Sequence, residues 1–162
     1  MDYEYLFNKQ RELDTYIEDN LESANRDDLF RKKILALQVE IGELANETRC
    51  FKFWSKKGPS EQSVIIEEYV DGLHFILSVG HDKGLSYTSS ALTDNGSDQT
   101  DSFLELYRSI GAFYSEPVQE TYVALFQSFL QLGQQLGFTE ASILKAYQQK
   151  NEVNHTRQDE GY

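Results

Sequence analysis

The stretch EIGELANETRCFKFWSKK, residues 40–57, sets Glu40, Glu43 and Glu47 at spacings of three and four and follows them at once with aromatics among lysines. At about 100° per residue the three acids fall in one narrow helical arc, beside the arc of Leu37, Ile41 and Leu44. They border the core instead of opposing it. A second pair, Glu68 and Asp71 in EEYVDGLHFILS, is again three apart, flanked by Val64 and Phe75 in a segment that is apolar almost all round. Carboxylates so placed become partly buried once the segment packs, and like charges at that spacing repel. Two such helices facing each other would bring four carboxylates together, which only a cation makes tolerable. All-oxygen donors favour Mg²⁺ or Mn²⁺ over zinc. Such ions neutralise phosphate oxygens and activate water for attack on phosphorus. Rings and lysines directly behind the acids suit the rest of such a ligand, a polyanion with a base attached.

Spacing alone carries little weight in so acidic a chain. Asp19 and Glu22 share it, as do Asp98 and Asp101, and neither pair is assigned a function. Phe51, Phe53 and Trp54 would singly be core residues, but among Lys52, Lys56 and Lys57 they suit a pocket wall. Near the C-terminus Lys150, Asn154 and Arg157 recur at spacings of four and three, so a helical continuation aligns them. Basic groups beside amides can bind phosphate oxygens that no metal holds, and Arg can do so with a forked pair of hydrogen bonds. His74 reads as a hydrogen-bonded bundle histidine, and Cys50 as a small packing residue. Two rivals belong to other classes. A di-iron carboxylate bundle would use Asp71-x-x-His74 and Glu152-x-x-His155, although the second lies in a polar tail. An acidic interaction module would leave all the carboxylates on the surface.

Glu40-x-x-Glu43, then FKFWS, then Glu68-x-x-Asp71 resembles the dimeric, all-α dUTPases, relatives of the MazG-type nucleotide pyrophosphohydrolases. The ending YQQKNEVNHTRQDEGY is similar to that family's final motif, with Lys150, Asn151, Asn154, Arg157 and Gln158 matching. The likeness runs from the first helix to Tyr162 and leaves only 83–101 unmatched. The acidic pairs alone point to the superfamily; FKFWS and KN-x-x-N-x-x-RQ narrow it to the dUTPases. The resemblance implies hydrolysis of dUTP, or dUDP, by a homodimer, with dUTP giving dUMP and pyrophosphate. It implies Mg²⁺, with Mn²⁺ as substitute, held by Glu40, Glu43, Glu68 and Asp71. A first-motif glutamate would be the general base, Glu43 ahead of Glu40. It further implies that Gln10 and Trp54 form the uracil pocket and that Lys150, Asn151, Asn154 and Arg157 bind substrate. Without the resemblance Gln10 reads as a surface residue. The nearest alternative is a sister pyrophosphohydrolase acting on another base.

The elements that must position these residues are helical throughout. At 162 residues with 40% hydrophobic content, the chain suits one soluble domain spanning 1–162. No apolar run approaches the roughly 18 residues of a membrane span. A single cysteine and an acidic, mixed N-terminus suit the cytoplasm. A net charge of −12 argues against nucleic acid as a partner. Tyr3, Leu6, Phe7, Leu13, Tyr16 and Ile17 make one apolar stripe. Asn25 caps a second helix reaching Thr48, and Ser60 after Pro59 opens a third reaching Gly80. Residues 86–101 read as a solvated, flexible loop, and helical pattern resumes at Phe103. Pro117 suits a first turn, and Thr139 caps a last helix reaching Lys150, with 150–162 as a nucleotide-binding tail whose lack of apolar residues leaves the core independent of it. The expectation is an all-α bundle of five to six helices. Apolar pattern on more than one face of the third helix suits a dimer.

Overall fold

The structure is a computed structural model that describes residues 1–19, 25–89, 92 and 96–161. Glu22, part of 86–101 and Tyr162 lie outside the described residues. Among the described residues six helices follow one another: α1 (Tyr3–Asp19), α2 (Arg26–Thr48), α3 (Gln62–Asp82), α4 (Gln99–Ser115), α5 (Gln119–Gln135) and α6 (Glu140–Asp159). No strand occurs among the described residues, and the chain is an all-α bundle. No described helix is long and apolar enough to cross a membrane.

Helix α3 is the axis of the molecule because its sequence is apolar on nearly every side. Tyr69, Val70, Leu73, Ile76, Leu77 and Val79 are all buried, and α3 packs against α1, α2, α5 and α6. A helix buried on several faces cannot fray freely, so polar residues on it are held firmly in place. Its seam with α5 is a reciprocal lock. The Tyr122 hydroxyl donates to Ile76 O at 3.0 Å, and the Tyr69 hydroxyl donates to Phe129 O at 3.1 Å. Each tyrosine lies over a glycine of the facing helix, Gly80 and Gly133, where a Cβ would collide with the phenol.

Boundaries follow local hydrogen bonding. Asn25 caps α2 as its sequence predicts, accepting from Asp27 N at 3.0 Å. Helix α3 begins at Gln62, two residues after Ser60, because Ser60 is engaged elsewhere. Its amide donates to Glu47 O at 3.0 Å and its hydroxyl to the Glu47 carboxylate, tying the 49–61 connection back onto α2. Helix α4 starts at Gln99, ahead of the predicted Phe103, because Asp98 caps it by accepting from Asp101 N at 2.9 Å. The Asp98/Asp101 spacing is thus a cap. Pro117 precedes the N-cap Val118 instead of entering the first turn of α5. The near end of the 86–101 connection is anchored, since Tyr87 is buried and stacks on Phe126 at 4.5 Å.

Helix α6 differs most from expectation, continuing past Lys150 to Asp159. Tyr16 of α1 accounts for the extension: its ring meets His155 at 5.7 Å and its hydroxyl donates to the Asp159 carboxylate. Asn151 is buried as well. The C-terminal segment, read as independent of the core, packs onto α1.

Candidate active site

The acids come from antiparallel stretches of α2 and α3 and converge near α6. Carboxylate oxygens of Glu40, Glu68 and Asp71 lie within 4.8 Å of one another. Burial first, then the charges of Asp71, Glu43 and Glu68, push the Glu40 carboxyl up to about 7. Burial followed by Asp71 and Glu43 raises Glu68 as well. Asp71 is raised mainly by burial, against the opposing pull of Lys150. Glu43 is exposed and stands outside the three-acid group, although its charge reaches Glu40 and Glu68. Glu47 is taken up by the Ser60 tie.

Lys150 enters this acidic corner, and the charge of Arg157 also reaches Asp71. Lys150 Nζ stands 2.7 Å from Asp71 Oδ2 and 3.1 Å from Glu67 Oε1. Glu40 and Glu68 are nonetheless raised by burial and by the neighbouring acids, so the corner keeps excess negative charge. Its donors are all oxygen, without histidine or thiolate, which fits a hard divalent cation.

The corner opens into a cavity of about 480 Å³, within the range of small-molecule sites. Glu40, Asp71, Lys150, Asn154 and Arg157 line it, and Gln10 borders it from α1. The predicted 150/154/157 alignment is therefore realised on one face of α6. Gln10, which reads as a surface residue from pattern alone, is buried at 3% exposure. Its amide accepts from the Tyr147 hydroxyl at 3.0 Å and donates to Asp14 Oδ1 at 2.9 Å. The residues FKFW stand apart: Phe53 is 93% and Trp54 65% exposed, and Trp54 does not line the cavity. Asn151 is buried and does not line it either.

Several cavity residues carry no motif. Asp14, Lys33, Phe75 and Ser78 line its inner part. Lys33 is held there by Asp82 at 2.7 Å and Glu18 at 3.1 Å. Asp71, His74 and Ser78 form an i, i+3, i+7 polar stripe along the largely apolar middle of α3, a signal the sequence does contain. His74 is a buried bundle histidine, as its pattern suggests, and is outside the acid group.

Converging acids, with a lysine and an arginine around one cavity, have the chemistry to take a multiply charged anion partly through cations. A family model described as dUTPase matches residues 2–162. The chain belongs to the all-α dUTPase family and is an enzyme, a dUTP diphosphatase. No curated protein gives a significant match.

Proposed function

We propose that the chain hydrolyses dUTP to dUMP and diphosphate in a Mg²⁺-dependent reaction, with Mn²⁺ able to substitute, and so withdraws dUTP from the nucleotide pool. The observation that carries the reading is the convergence of Glu40, Glu68 and Asp71, the first and last of which line a cavity together with Lys150, Asn154 and Arg157. Glu40, Glu68 and Asp71 would hold the metal, with Glu43 beside them. When bound, Mg²⁺ supplies charge neutralisation of phosphate oxygens and a lowered pKa for water. Glu43, more exposed and outside the three-acid group, takes the proton from the attacking water, with Glu40 as the second candidate. Lys150 and Arg157 bind the remaining phosphate oxygens, and Asn154 adds an amide donor. Gln10 reads the base.

The same reading assigns no present role to Trp54 and Asn151 within one chain. Trp54 and Phe53 are exposed apolar surface, as are Leu35 and Val39, one turn apart on α2. Such surface supports a homodimer, in which Trp54 could be brought to a base. A cytoplasmic location completes the reading and rests on composition. dUDP fits the same cavity chemistry as a second substrate.

The test is a panel of dUTP, dCTP, dTTP and UTP with Mg²⁺, scored for diphosphate against phosphate release. We expect diphosphate as product and kcat/KM for dUTP orders of magnitude above that for dCTP and dTTP. Comparable efficiency on all of them would leave a pyrophosphohydrolase without uracil selectivity.

A further inference from the structure

In the cavity wall, where Gln10, Asp14 and His74 all take part, the Gln10 amide is gripped from both ends. Oε1 receives the Tyr147 hydroxyl at 3.0 Å and stands 2.8 Å from His74 Nδ1, while Nε2 donates to Asp14 Oδ1 at 2.9 Å. The His74 ring stacks on the Tyr147 ring, with 4.3 Å between centroids and 19° between planes. The two residues that hold the amide therefore also hold each other.

An amide oxygen and nitrogen have nearly the same shape, so partners decide which way the group faces. With Oε1 toward His74, the imidazole carries its proton on Nδ1. Its buried Nε2, which has no hydrogen-bond partner among the described residues, is then a bare lone pair. Reversing the amide makes Nδ1 an acceptor, moves the ring proton to Nε2 and leaves a buried N–H without an acceptor. An orphaned donor is the rarer and costlier state. Burial holds the imidazole down at about 3, so protonating both nitrogens is no escape near neutrality. Reversal also turns Oε1 onto the Asp14 carboxyl. Asp14 takes one Nε2 hydrogen, no bond of the second to a described residue is seen, and Gln10 lines the cavity, so the second is the hydrogen that can meet a bound group there.

We propose that His74 and Tyr147 are positioning residues for base selectivity: by fixing Gln10 with an N–H toward the cavity, they make the site offer a donor to the base. A donor suits a carbonyl edge such as that of uracil and mispairs with the exocyclic amine of cytosine. Selectivity then resides in the pair behind the amide as much as in the amide itself, since a free glutamine could turn to serve either base. This inference rests on the reading of the cavity as the dUTP site.

The test compares kcat/KM for dUTP and dCTP, with Mg²⁺, in the wild type, Tyr147→Phe, His74→Phe and His74→Asn. Asparagine returns an N–H near the place of Nδ1, whereas phenylalanine returns only the ring. Tyr147→Phe and His74→Phe should each lower the dUTP-to-dCTP ratio about tenfold, the worth of one hydrogen bond, mainly through KM for dUTP. His74→Asn should retain most of the ratio. Folded Phe variants with the wild-type ratio, or an Asn variant as impaired as Phe, would overturn the lock while leaving the dUTPase reading intact. A wild type indifferent to dUTP and dCTP would instead sink the reading and the lock together. If the variants do not fold, ¹⁵N NMR of the wild type decides: a protonated Nδ1 and bare Nε2 on His74 at neutral pH are expected, and the opposite tautomer overturns the proposal.

Discussion

The two ends of the cavity, one turn of α3 apart at Asp71 and His74, treat polar groups in opposite ways. At the inner end Gln10, His74, Tyr147 and Asp14 hold one another with bonds of 2.8–3.0 Å, so that side chains on three helices share one arrangement. At the outer end Glu40, Glu68 and Asp71 crowd together, and Lys150, with a weaker pull from Arg157 on Asp71, offsets part of their charge. The inner end is organised before any ligand arrives. The outer end is under repulsion that a cation would relieve. Under the proposed function, a rigid group for the base and an electrostatically frustrated corner for the phosphates would serve selectivity and phosphate chemistry respectively.

The largest effect should come from breaking the outer end alone. Asp71→Asn or Glu68→Gln should lower dUTP turnover by about 10²–10³-fold, the scale for losing one preorganised electrostatic group. Helix content by circular dichroism should be unchanged, since removing one of several repelling acids does not harm the fold. Near-native turnover in either variant would place the chemistry elsewhere. Arg157→Ala should have a smaller effect, raising KM for dUTP by about tenfold with little change in folding, on the scale of one charge-assisted contact. A kcat loss without a KM change would show that Arg157 acts only on the transition state.

The contrast between the two ends also explains what could be read from the sequence. Charge spacing is visible in one dimension, so Glu40, Glu68, Asp71 and the 150/154/157 row could be read as facing groups. Helix identity was equally legible, because apolar periodicity and the caps at Asn25 and Thr139 are local. The inner end was not. Gln10 meets His74 across 64 residues and Tyr147 across 137, and no local pattern distinguishes a buried glutamine from a surface one. The α3 start was misplaced for a similar reason, since Ser60 looks like a cap until its bond to Glu47 is seen. The tail looked detachable because its polar residues hid the packing of Tyr16 on His155.

The contrast is tested most directly by the pH dependence of stability, first metal-free and then with added Mg²⁺, for the wild type and Glu40→Gln. Glu40 is raised from 4.5 to about 7, so between those values the folded chain binds more protons than the unfolded one. Folding stability from this group therefore falls as pH rises through that window. Relative to Glu40→Gln, the wild type should lose stability from pH 4.5 to about 7, by about 0.5–1 kcal/mol once solvent screening of a half-buried group is allowed for. Mg²⁺ at neutral pH should restore the wild type more than the variant. Parallel pH profiles and an equal response to Mg²⁺ in both proteins would contradict the account of the outer end as a corner strained for want of a cation.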